Sequence, residues 1–440
     1  MKILVLTNLY PPHHAGTYDF RCQLIVDALR LRGHDVRVLT SNHGLQKEQR
    51  DAEVERRLRL NGVYGHAPRT GFQELQALEI HNHRVLREVI AEFQPEVIHV
   101  WSLHGISKSL IFSLRQSQLP VVYDIADHWL SQELLKDPWL HWWNRGPAPL
   151  ASNLARLFLE LTGKRDQLDK LAPTRHANEY KRLPELYDEP DSQVITKLKG
   201  LTIFHFERLY FCSQSIKDVT EQAGLQVSHG EVIYPGIPSD QYVGELKPQA
   251  LPVKKFLIAT RLTKDSGVLT ALKAFQLARV NHDMKGVLNV YGRGDSDYIA
   301  HLRSFVVEHE LPVEFQIVSN PVKDMPAVYR AHDAFLHTSE WDEPFAITPL
   351  EAMACGLPVI GARSGGATEL FRHGENALTY APGDVAELSA RMLEIQTQSA
   401  LRHKIAETAQ AEVMSKFNEG VVADRIENYL EASRANWLPM

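Results

Sequence analysis

Short apolar runs rich in β-branched residues alternate with longer amphipathic stretches, and this alternation occurs twice along the chain. It is typical of βα units around a parallel sheet. The predicted strands of the first set are KILVLTN, DVRVLTS, EVIHVWS, VVYDIAD, RLYFCS and EVIYPG, with helices that include 19–32 and 74–93. The second set begins at KKFLIATRL, 254–262, and continues through GVLNVYG, VEFQIVS, DAFLHTS and LPVIGA. The sequence therefore predicts an α/β fold of two doubly wound domains. We expect a ligand cleft between them, at the carboxyl ends of both sheets.

The length of 440 residues suits two hydrophobic cores better than one. A boundary is predicted at PGIPSDQYVGELKPQALP, 235–252, because it holds four prolines and a polar centre. This places the first domain at 1–240 and the second at 250–419.

Composition excludes several broad classes. With 48 basic and 54 acidic residues and a net charge of −6, the chain has no bulk attraction to nucleic acid or anionic lipid. Three cysteines, Cys22, Cys212 and Cys355, stand far apart without a CxxC pair, so we expect no disulfide framework and a cytoplasmic location. The opening MKILVLTNLYPP is interpreted as a first strand and not a signal peptide, and no segment is long enough to span a bilayer.

Residues 131–200 interrupt the alternation and predict an added helical insert. Apolar residues recur there at helical spacing, and tryptophans crowd just before them. One interpretation is a helical cap packed on the first domain. The other is a surface for an acceptor or for peripheral contact with a membrane. The residues concerned are Leu150, Leu154, Leu157, Phe158 and Leu161 in the stripe, and Trp129, Trp139, Trp142 and Trp143 before it.

Two glutamates lie around a predicted helix start. Thr348-Pro349-Leu350-Glu351 is a capping-box sequence with Pro at the first helical position, and Gly356 and Pro358 predict an end after about two turns. The Glu351 carboxylate either satisfies its own helix cap or binds a ribose diol. Glu343 lies in a polar loop after the strand DAFLHTS, where a carboxylate can accept sugar hydroxyls.

The string EPFAITPLEAMACGLPVIGARSGGATEL, 343–370, resembles the signature region of retaining glycosyltransferases of family 4. The resemblance implies the GT-B fold, in which two Rossmann-like domains face each other across a cleft and a terminal helix, here 420–440, packs back on the first domain. It implies transfer of a sugar from a nucleoside diphosphate sugar to an acceptor hydroxyl with retained anomeric configuration. It assigns Glu343 to the donor sugar as a catalytic residue and Glu351 to the ribose. The donor site would also include Phe345, Ala346, Ile347 and Thr348, with helix starts at Thr348 and after Gly365-Gly366 offering N–H groups to an anion.

The same resemblance assigns two further donor contacts. Arg261 in ATRLTKDSG matches the cation that neutralises the departing diphosphate. The family places a lysine five residues later, where this chain has Ser266, so either Lys264 supplies the second cation or none does. In the loop YPPHHAGT only Gly16 remains of the usual glycine pair.

The acceptor side departs from the family pattern. Family members often have His-Asp after the strand that corresponds to VVYDIAD, with the histidine near the reacting sugar. Here the matching pair is Ala126-Asp127, followed by His128. Either Asp127 or His128 takes the catalytic position at the acceptor hydroxyl.

Other motifs carry less weight. The DxD in GRGDSD, 292–297, is interpreted as solvated carboxylates, and no His/Cys cluster predicts a metal site. The sequence thus predicts a cytoplasmic, metal-independent glycosyltransferase without a cofactor, in glycan or polysaccharide assembly. Its partners would be a nucleotide sugar and a carbohydrate or lipid-linked acceptor, and it would not bind nucleic acid. The alternatives are an epimerase or hydrolase of the same fold, or a non-catalytic nucleotide-sugar binder.

Overall fold

The computed structural model describes residues 1–143, 150–174, 206, 208–249 and 252–437. The chain divides into two compact units. Unit 1 comprises Met1–Ile233 with Ala423–Met440, and unit 2 comprises Tyr234–Val422.

Unit 1 is built on a parallel sheet whose described strands follow the order β3-β2-β1-β4-β5-β6-β7. Ile3 of β1 pairs with Val36 of β2 on one side and with Val97 of β4 on the other. The strand order therefore reverses between β1 and β4, and open α/β sheets bind ligands beyond the carboxyl ends of strands at such a point. The strands are β1 Lys2–Leu6, β2 Asp35–Ser41, β3 Val54–Leu58, β4 Val97–Val100, β5 Val121–Ile125, β6 Leu209–Phe211 and β7 Glu231–Val232.

The helices of unit 1 connect these strands. The longest buries one apolar face that includes Leu75, Leu78, Leu86 and Val89, so its sequence periodicity determines which side packs inward. The described helices are α1 Thr17–Leu31, α2 Phe72–Phe93, α3 Leu110–Gln116, α4 Pro138–Trp143, α5 Leu150–Leu161, α6 Lys164–Asp169 and α7 Gln214–Gln222, with a π-helical turn at Trp129–Glu133 and a 3-10 turn at Leu134–Lys136.

Unit 2 repeats the same topology, with described strands in the order β10-β9-β8-β11-β12-β13. The order reverses between β8 and β11, whose central residues Phe256, Ile258 and Leu336 are buried in the core. The strands are β8 Lys255–Ala259, β9 Val287–Tyr291, β10 Val313–Gln316, β11 Ala334–His337, β12 Val359–Ala362 and β13 Leu378–Tyr380. The helices are α8 Ser239–Tyr242, α9 Val268–His282, α10 Ser296–Glu308, α11 Pro321–Arg330, α12 Ile347–Ala354, α13 Ala367–Leu370, α14 Val385–Thr397, α15 Ser399–Lys416 and the first residues of α16 Glu419–Ala435, with a 3-10 turn at Lys264–Ser266.

The predicted α/β fold with two parallel-sheet domains is confirmed, and each predicted strand has a counterpart. Strands β3 and β13 were not predicted. The units divide after Ile233, and the segment predicted as a linker packs on unit 2, where Ile237 and Tyr242 are buried. In α16, the residues from Ala423 onward belong to unit 1, where Glu427 pairs with Arg32 at 2.7 Å and the Tyr429 hydroxyl donates to Leu209 O at 2.9 Å.

The described part of the insert is helical, and its two groups of apolar residues differ in burial. Trp139 and Trp143 are buried and their rings lie 5.9 and 6.0 Å from Phe72 of α2, as expected for a cap on the first domain. The stripe on α5 contradicts that interpretation, because it is exposed: Leu150 82%, Leu154 66%, Leu157 50%, Phe158 57% and Leu161 79%. Residues 144–149, 175–205 and 207 of the insert region lie outside the described residues.

Candidate functional site

Arg261 and Glu343 lie beyond the carboxyl ends of β8 and β11, where the strand order of unit 2 reverses. Arg261 is exposed, and the Glu343 side chain is 30% exposed. Burial raises the pKa of Glu343 to about 7, while the nearby positive charge of Arg261 acts to lower it. The structure therefore brings together the two residues that the sequence assigned to the donor diphosphate and the donor sugar.

The segment that carries Arg261 is held by the glycines of GRGDSD. A Cβ at Gly292 would lie 2.0 Å from Thr260 O, and one at Gly294 would lie 2.0 Å from Leu262 O. The Asp295 N–H donates to Leu262 O at 3.0 Å, and its carboxylate caps α10 by accepting from Tyr298 N at 2.8 Å. Asp295 and Asp297 are both exposed, in agreement with the interpretation of this DxD as solvated carboxylates, and Asp295 has a structural role as well.

The Gly-Gly turn after β12 fixes the loop of Glu343. Gly365 has φ +47°, and a Cβ there would lie 2.4 Å from Glu343 O. The Gly366 N–H donates to the same carbonyl at 2.8 Å, and the Glu343 N–H donates to Trp341 O at 2.8 Å. Close backbone contact therefore requires glycine at position 365.

The predicted capping box at the start of α12 is wrong. The helix begins at Ile347, after Ala346, which has no side chain able to cap it. The buried Glu351 carboxylate instead accepts hydrogen bonds from the Tyr242 hydroxyl at 2.9 Å and the Tyr329 hydroxyl at 2.7 Å. Burial raises the pKa of Glu351 to about 7, although both hydroxyls act to lower it. The first turn of α12 thus has no side-chain cap.

The residues just before α12 face the protein interior. The Phe345 ring is buried, with ring centroids 5.5 Å from Tyr234 and 6.1 Å from Phe417. Ala346 is fully buried, whereas Ile347 and Thr348 are half-buried. The Phe345 side chain is therefore part of an aromatic cluster, and its place in a donor site stays a prediction.

Ser266 is built into the loop after β8. It is buried, its hydroxyl donates to Thr263 O at 2.6 Å, and its carbonyl accepts from the Thr338 hydroxyl at 2.6 Å. Lys264 lies on the exposed side of the same turn and forms no ion pair with any described residue. Ser266 therefore supplies no positive charge, and Lys264 is the residue of this turn that can act as the second cation.

A polar cluster lies at the carboxyl ends of β4 and β5 in unit 1. The Ser102 hydroxyl donates to Asp127 at 3.5 Å, and Asp127 also accepts from Trp129 N at 2.6 Å. His104 hydrogen-bonds Glu133, which also accepts from Lys108 Nζ at 3.0 Å. Burial raises the pKa of Asp127. The hydrogen bond to Glu133 raises the pKa of His104. Burial acts to raise the pKa of Glu133, but His104 and Lys108 lower it to about 2.

Sequence reasoning missed most of this cluster, which also includes Tyr64 and Asn8. The Tyr64 ring lies 5.3 Å from His104 in an edge-on contact, and its hydroxyl accepts from Asn8 Nδ2 at 3.3 Å. Asn8 is the last residue of one predicted strand and His104 follows another, so the rule that ligands meet the carboxyl ends of strands could have identified them. Within the described chain, no group of three His, Cys, Asp or Glu residues is arranged to hold a metal ion.

The two other predicted residues of unit 1 have structural contacts. The N–H groups of Ala15 and Gly16 donate to the Asp19 carboxylate at 2.7 and 3.2 Å, so a side chain of the protein already fills this turn. Gly16 is extended, and a Cβ there would meet no atom within 4 Å. The His128 carbonyl accepts from Gln132 N at 2.9 Å, and His128 lies immediately before the π-helical turn.

Two family models match the chain. Residues 247–412 match "Glycosyl transferases group 1", and residues 16–160 match "Glycosyl transferase 4-like domain". The chain carries two glycosyltransferase domains. The two matched ranges lie in unit 2 and unit 1, and each includes the carboxyl edge of the sheet that holds the candidate site residues of that unit.

Curated relatives match over part of their lengths. Spore coat protein SA of Bacillus subtilis is 29% identical over 140 residues, 32% of this chain and 37% of that protein. Glycogen synthase of Mycobacterium tuberculosis is 26% identical over 274 residues, 61% of this chain and 65% of that protein. Lipopolysaccharide 1,2-N-acetylglucosaminetransferase of Salmonella typhimurium is 26% identical over 261 residues, 58% of this chain and 64% of that protein. The chain therefore spans less than two thirds of each of these relatives.

Solved structures show the same fold over almost the whole chain. Sucrose-phosphate synthase from Thermosynechococcus elongatus has a TM-score of 0.68 and 15% identity and covers 99% of both chains. Anabaena HepE, solved in complex with UDP and glucose, has a TM-score of 0.63 and 20% identity and covers 98% of this chain and 100% of that chain. The fold is GT-B.

Proposed function

We propose that the protein is a retaining glycosyltransferase that transfers a sugar from a nucleoside diphosphate sugar to an acceptor hydroxyl. The observation that carries the proposal is that exposed Arg261 and partly buried Glu343 lie at the carboxyl edge of unit 2, near enough for the charge of Arg261 to act on the Glu343 carboxylate. A cation suits a diphosphate, and a carboxylate suits sugar hydroxyls. The two glycosyltransferase domain models add support from the whole pattern of the sequence.

In this proposal the donor lies along the edge of unit 2. Its diphosphate contacts Arg261 and the N–H groups in the first turn of α12, which have no side-chain cap. Its sugar hydroxyls donate to Glu343. Glu351 uses two acceptor positions for Tyr242 and Tyr329, and a carboxylate has about four, so its remaining lone pairs can accept the ribose hydroxyls.

Transfer with retention proceeds on one face of the donor sugar. The bond from the anomeric carbon to the diphosphate oxygen breaks, and a bond from the acceptor oxygen forms on the same face. The acceptor proton passes to a phosphate oxygen of the leaving group. Arg261 stabilises the negative charge that develops there, and no metal ion is required in the proposal.

We assign the acceptor to the edge of unit 1, beside Asp127 and the His104–Glu133 pair. Asp127 is half-buried and accepts from Trp129 N at 2.6 Å and from the Ser102 hydroxyl at 3.5 Å, and a carboxylate has about four acceptor positions, so it keeps capacity for a hydroxyl donor. The proposal favours Asp127 over His128 as the group nearest the acceptor hydroxyl.

Binding comes first in testing this function. The thermal stability of the chain is measured with UDP, GDP, ADP and their common sugar conjugates. A ligand at ~100 times its dissociation constant adds roughly 2.7 kcal/mol, which identifies the donor nucleotide. Arg261→Gln should abolish the effect of the diphosphate, whereas Lys273→Gln, which removes an exposed cation on α9, should leave it unchanged. Lys264→Gln shows whether the second cation contributes.

Turnover then separates the proposal from its alternatives. Release of nucleoside diphosphate that requires an acceptor, a product with the anomeric configuration of the donor, and full activity in EDTA support it. Conversion of the donor without an acceptor indicates an epimerase or hydrolase. Binding with no turnover against a broad acceptor panel indicates a non-catalytic binder.

We further propose that the acceptor is a cell-surface glycan or its lipid-linked precursor and that the protein works in the cytoplasm at the inner face of the membrane. One matched relative is named for transfer to lipopolysaccharide, and the three free cysteines are buried. Among the described residues no helix has the length and apolar character to cross a bilayer. The exposed apolar face of α5 supports peripheral contact, and the Lys164 ammonium lies 5.4 Å from its Phe158 ring, where it can meet anionic lipid.

Vesicle sedimentation tests the membrane contact. The chain should bind phosphatidylcholine vesicles that contain phosphatidylglycerol, and Leu154→Ser with Phe158→Ser should release it. Leu31→Ser, which removes another exposed leucine, serves as the control. If the chain instead forms a dimer that the double variant dissociates, the apolar face is a contact between copies and the membrane proposal is wrong.

A further inference from the structure

His337, the last residue of β11, is a buried imidazole whose Nε2 has no hydrogen-bond partner among the described residues. Its side chain is 6% exposed, and its ring centroid lies 5.8 Å from that of Phe371. The nearest acidic group is Glu343, whose Oε2 lies 3.6 Å from Nε2. That distance is slightly too long for a hydrogen bond. Leaving a buried polar nitrogen unpaired costs stability, so such a group in a candidate active site calls for a functional explanation.

The backbone around Glu343 is fixed, so only its side chain can move to meet His337. Its carbonyl accepts from Gly366 N at 2.8 Å, and Gly365 packs directly against it. A small rotation of the carboxylate is enough to shorten the separation from 3.6 Å to a hydrogen bond.

The charges in this region favour donation from the imidazole to the carboxylate. Burial lowers the pKa of His337 to about 4, so near pH 7 the ring is neutral and carries one N–H. Arg261 from the loop after β8 is the charged group that acts on Glu343, and the His337 ring of β11 lies 3.6 Å from its Oε2. A hydrogen bond from neutral His337 stabilises the ionised form of Glu343, as Arg261 does.

We propose that His337 is a positioning residue whose Nε2–H donates to the Glu343 carboxylate after a small rotation of that side chain, with or without a bound donor, which leaves the other carboxylate oxygen to accept from the sugar hydroxyls. This inference rests on the proposed function of the same site. His337 itself contacts neither the sugar nor the diphosphate. It acts on the orientation and the ionisation of Glu343.

The test compares His337→Phe, which keeps a ring but loses the N–H, with His337→Gln, whose amide restores a donor. In the ligand-free protein, carbon-13 NMR follows the Glu343 carboxyl, assigned by its absence in Glu343→Gln. The Glu343 pKa should rise by about 1 in His337→Phe and return in His337→Gln. His301→Phe, an exposed position on α10, should leave it unchanged. An unchanged Glu343 titration in His337→Phe overturns the inference, whether or not the protein proves to be a transferase.

Kinetics provide the second measurement. In His337→Phe, kcat should fall about 30-fold with little change in the affinity for the free nucleoside diphosphate, and the acid limb of the pH profile should move to higher pH. His337→Gln should recover most of the rate. Equal losses in both variants together with reduced thermal stability indicate a structural role and overturn the inference. If the wild type lacks acceptor-dependent turnover, the proposed function fails, while the NMR titration still decides the role of His337.

Discussion

Ionisation of Glu351 should make unit 2 less stable as the pH rises. The side chain is 8% exposed, and burial raises its pKa from 4.5 to about 7. A carboxyl whose folded-state pKa is raised costs nothing below its unfolded pKa, where it is protonated in both states. The cost grows between about pH 4.5 and pH 7 and then stays constant. At about 1.4 kcal/mol for each unit of pKa, the full cost is about 3 kcal/mol.

Glu351→Gln should remove this dependence, because the amide is neutral and can still accept from one tyrosine hydroxyl and donate to the other. Relative to wild type, the variant should gain up to about 3 kcal/mol of unfolding free energy between pH 5 and pH 8. For a unit of this size that is roughly 6–12 °C in Tm. Differential scanning calorimetry of both proteins across this range measures it, and the comparison cancels groups that titrate alike in both. A difference in Tm that is the same at pH 5 and pH 8 would refute the reasoning.

Three further predictions concern single side chains. Glu351→Ala leaves the Tyr242 and Tyr329 hydroxyls unpaired and should cost about 2–4 kcal/mol in urea unfolding at pH 5, which the pH term cannot explain. Gly365→Ala should reduce transfer activity about 100-fold or more, because the added Cβ collides with Glu343 O. The control is Gly374→Ala: Gly374 has φ +75° and an added Cβ there meets no atom within 4 Å, so this variant should show only backbone strain of ~1 kcal/mol. The hydrogen bond to Glu133 raises the pKa of His104, so the KM for the acceptor should increase when the pH rises above the pKa of His104 and the imidazolium loses its proton. An equal increase of KM with pH in His104→Gln would contradict this prediction.

Hydrophobic pattern predicted the fold because buried parallel strands are apolar along their whole length. It failed at β3, whose sequence VERRL contains three charged residues. These are buried through specific partners: Arg57 donates to Glu88 of α2, and Arg56 donates to Tyr10 O at 2.8 Å. Such pairings depend on residues that meet only in the folded chain, so local composition cannot indicate a strand there.

Candidate site residues could be predicted where a charged side chain lies at or just after the carboxyl end of a predicted strand. Arg261 and Asp127 lie at the carboxyl ends of predicted strands and Glu343 lies in the loop after another, so the topology of each sheet places them at its carboxyl edge. The partners of Glu351 were not predictable, because Tyr242 lies 109 residues away in the segment predicted as a linker. For α5, the spacing of the apolar residues predicted a helix but not the exposure of its apolar face, because helical spacing does not reveal whether a partner covers these residues.

The route of α16 has a consequence for synthesis of the protein. Unit 1 is interrupted in sequence by the whole of unit 2, and its contacts from Glu427 to Arg32 and from Tyr429 to Leu209 come from chain that follows unit 2. On the ribosome, unit 2 therefore has its complete sequence before unit 1 does, and unit 1 must wait with its sheet unsupported by α16. We therefore expect unit 2 to complete its fold before unit 1, although synthesis of unit 1 begins first. A nascent chain arrested before residue 423 should be the form most dependent on chaperones.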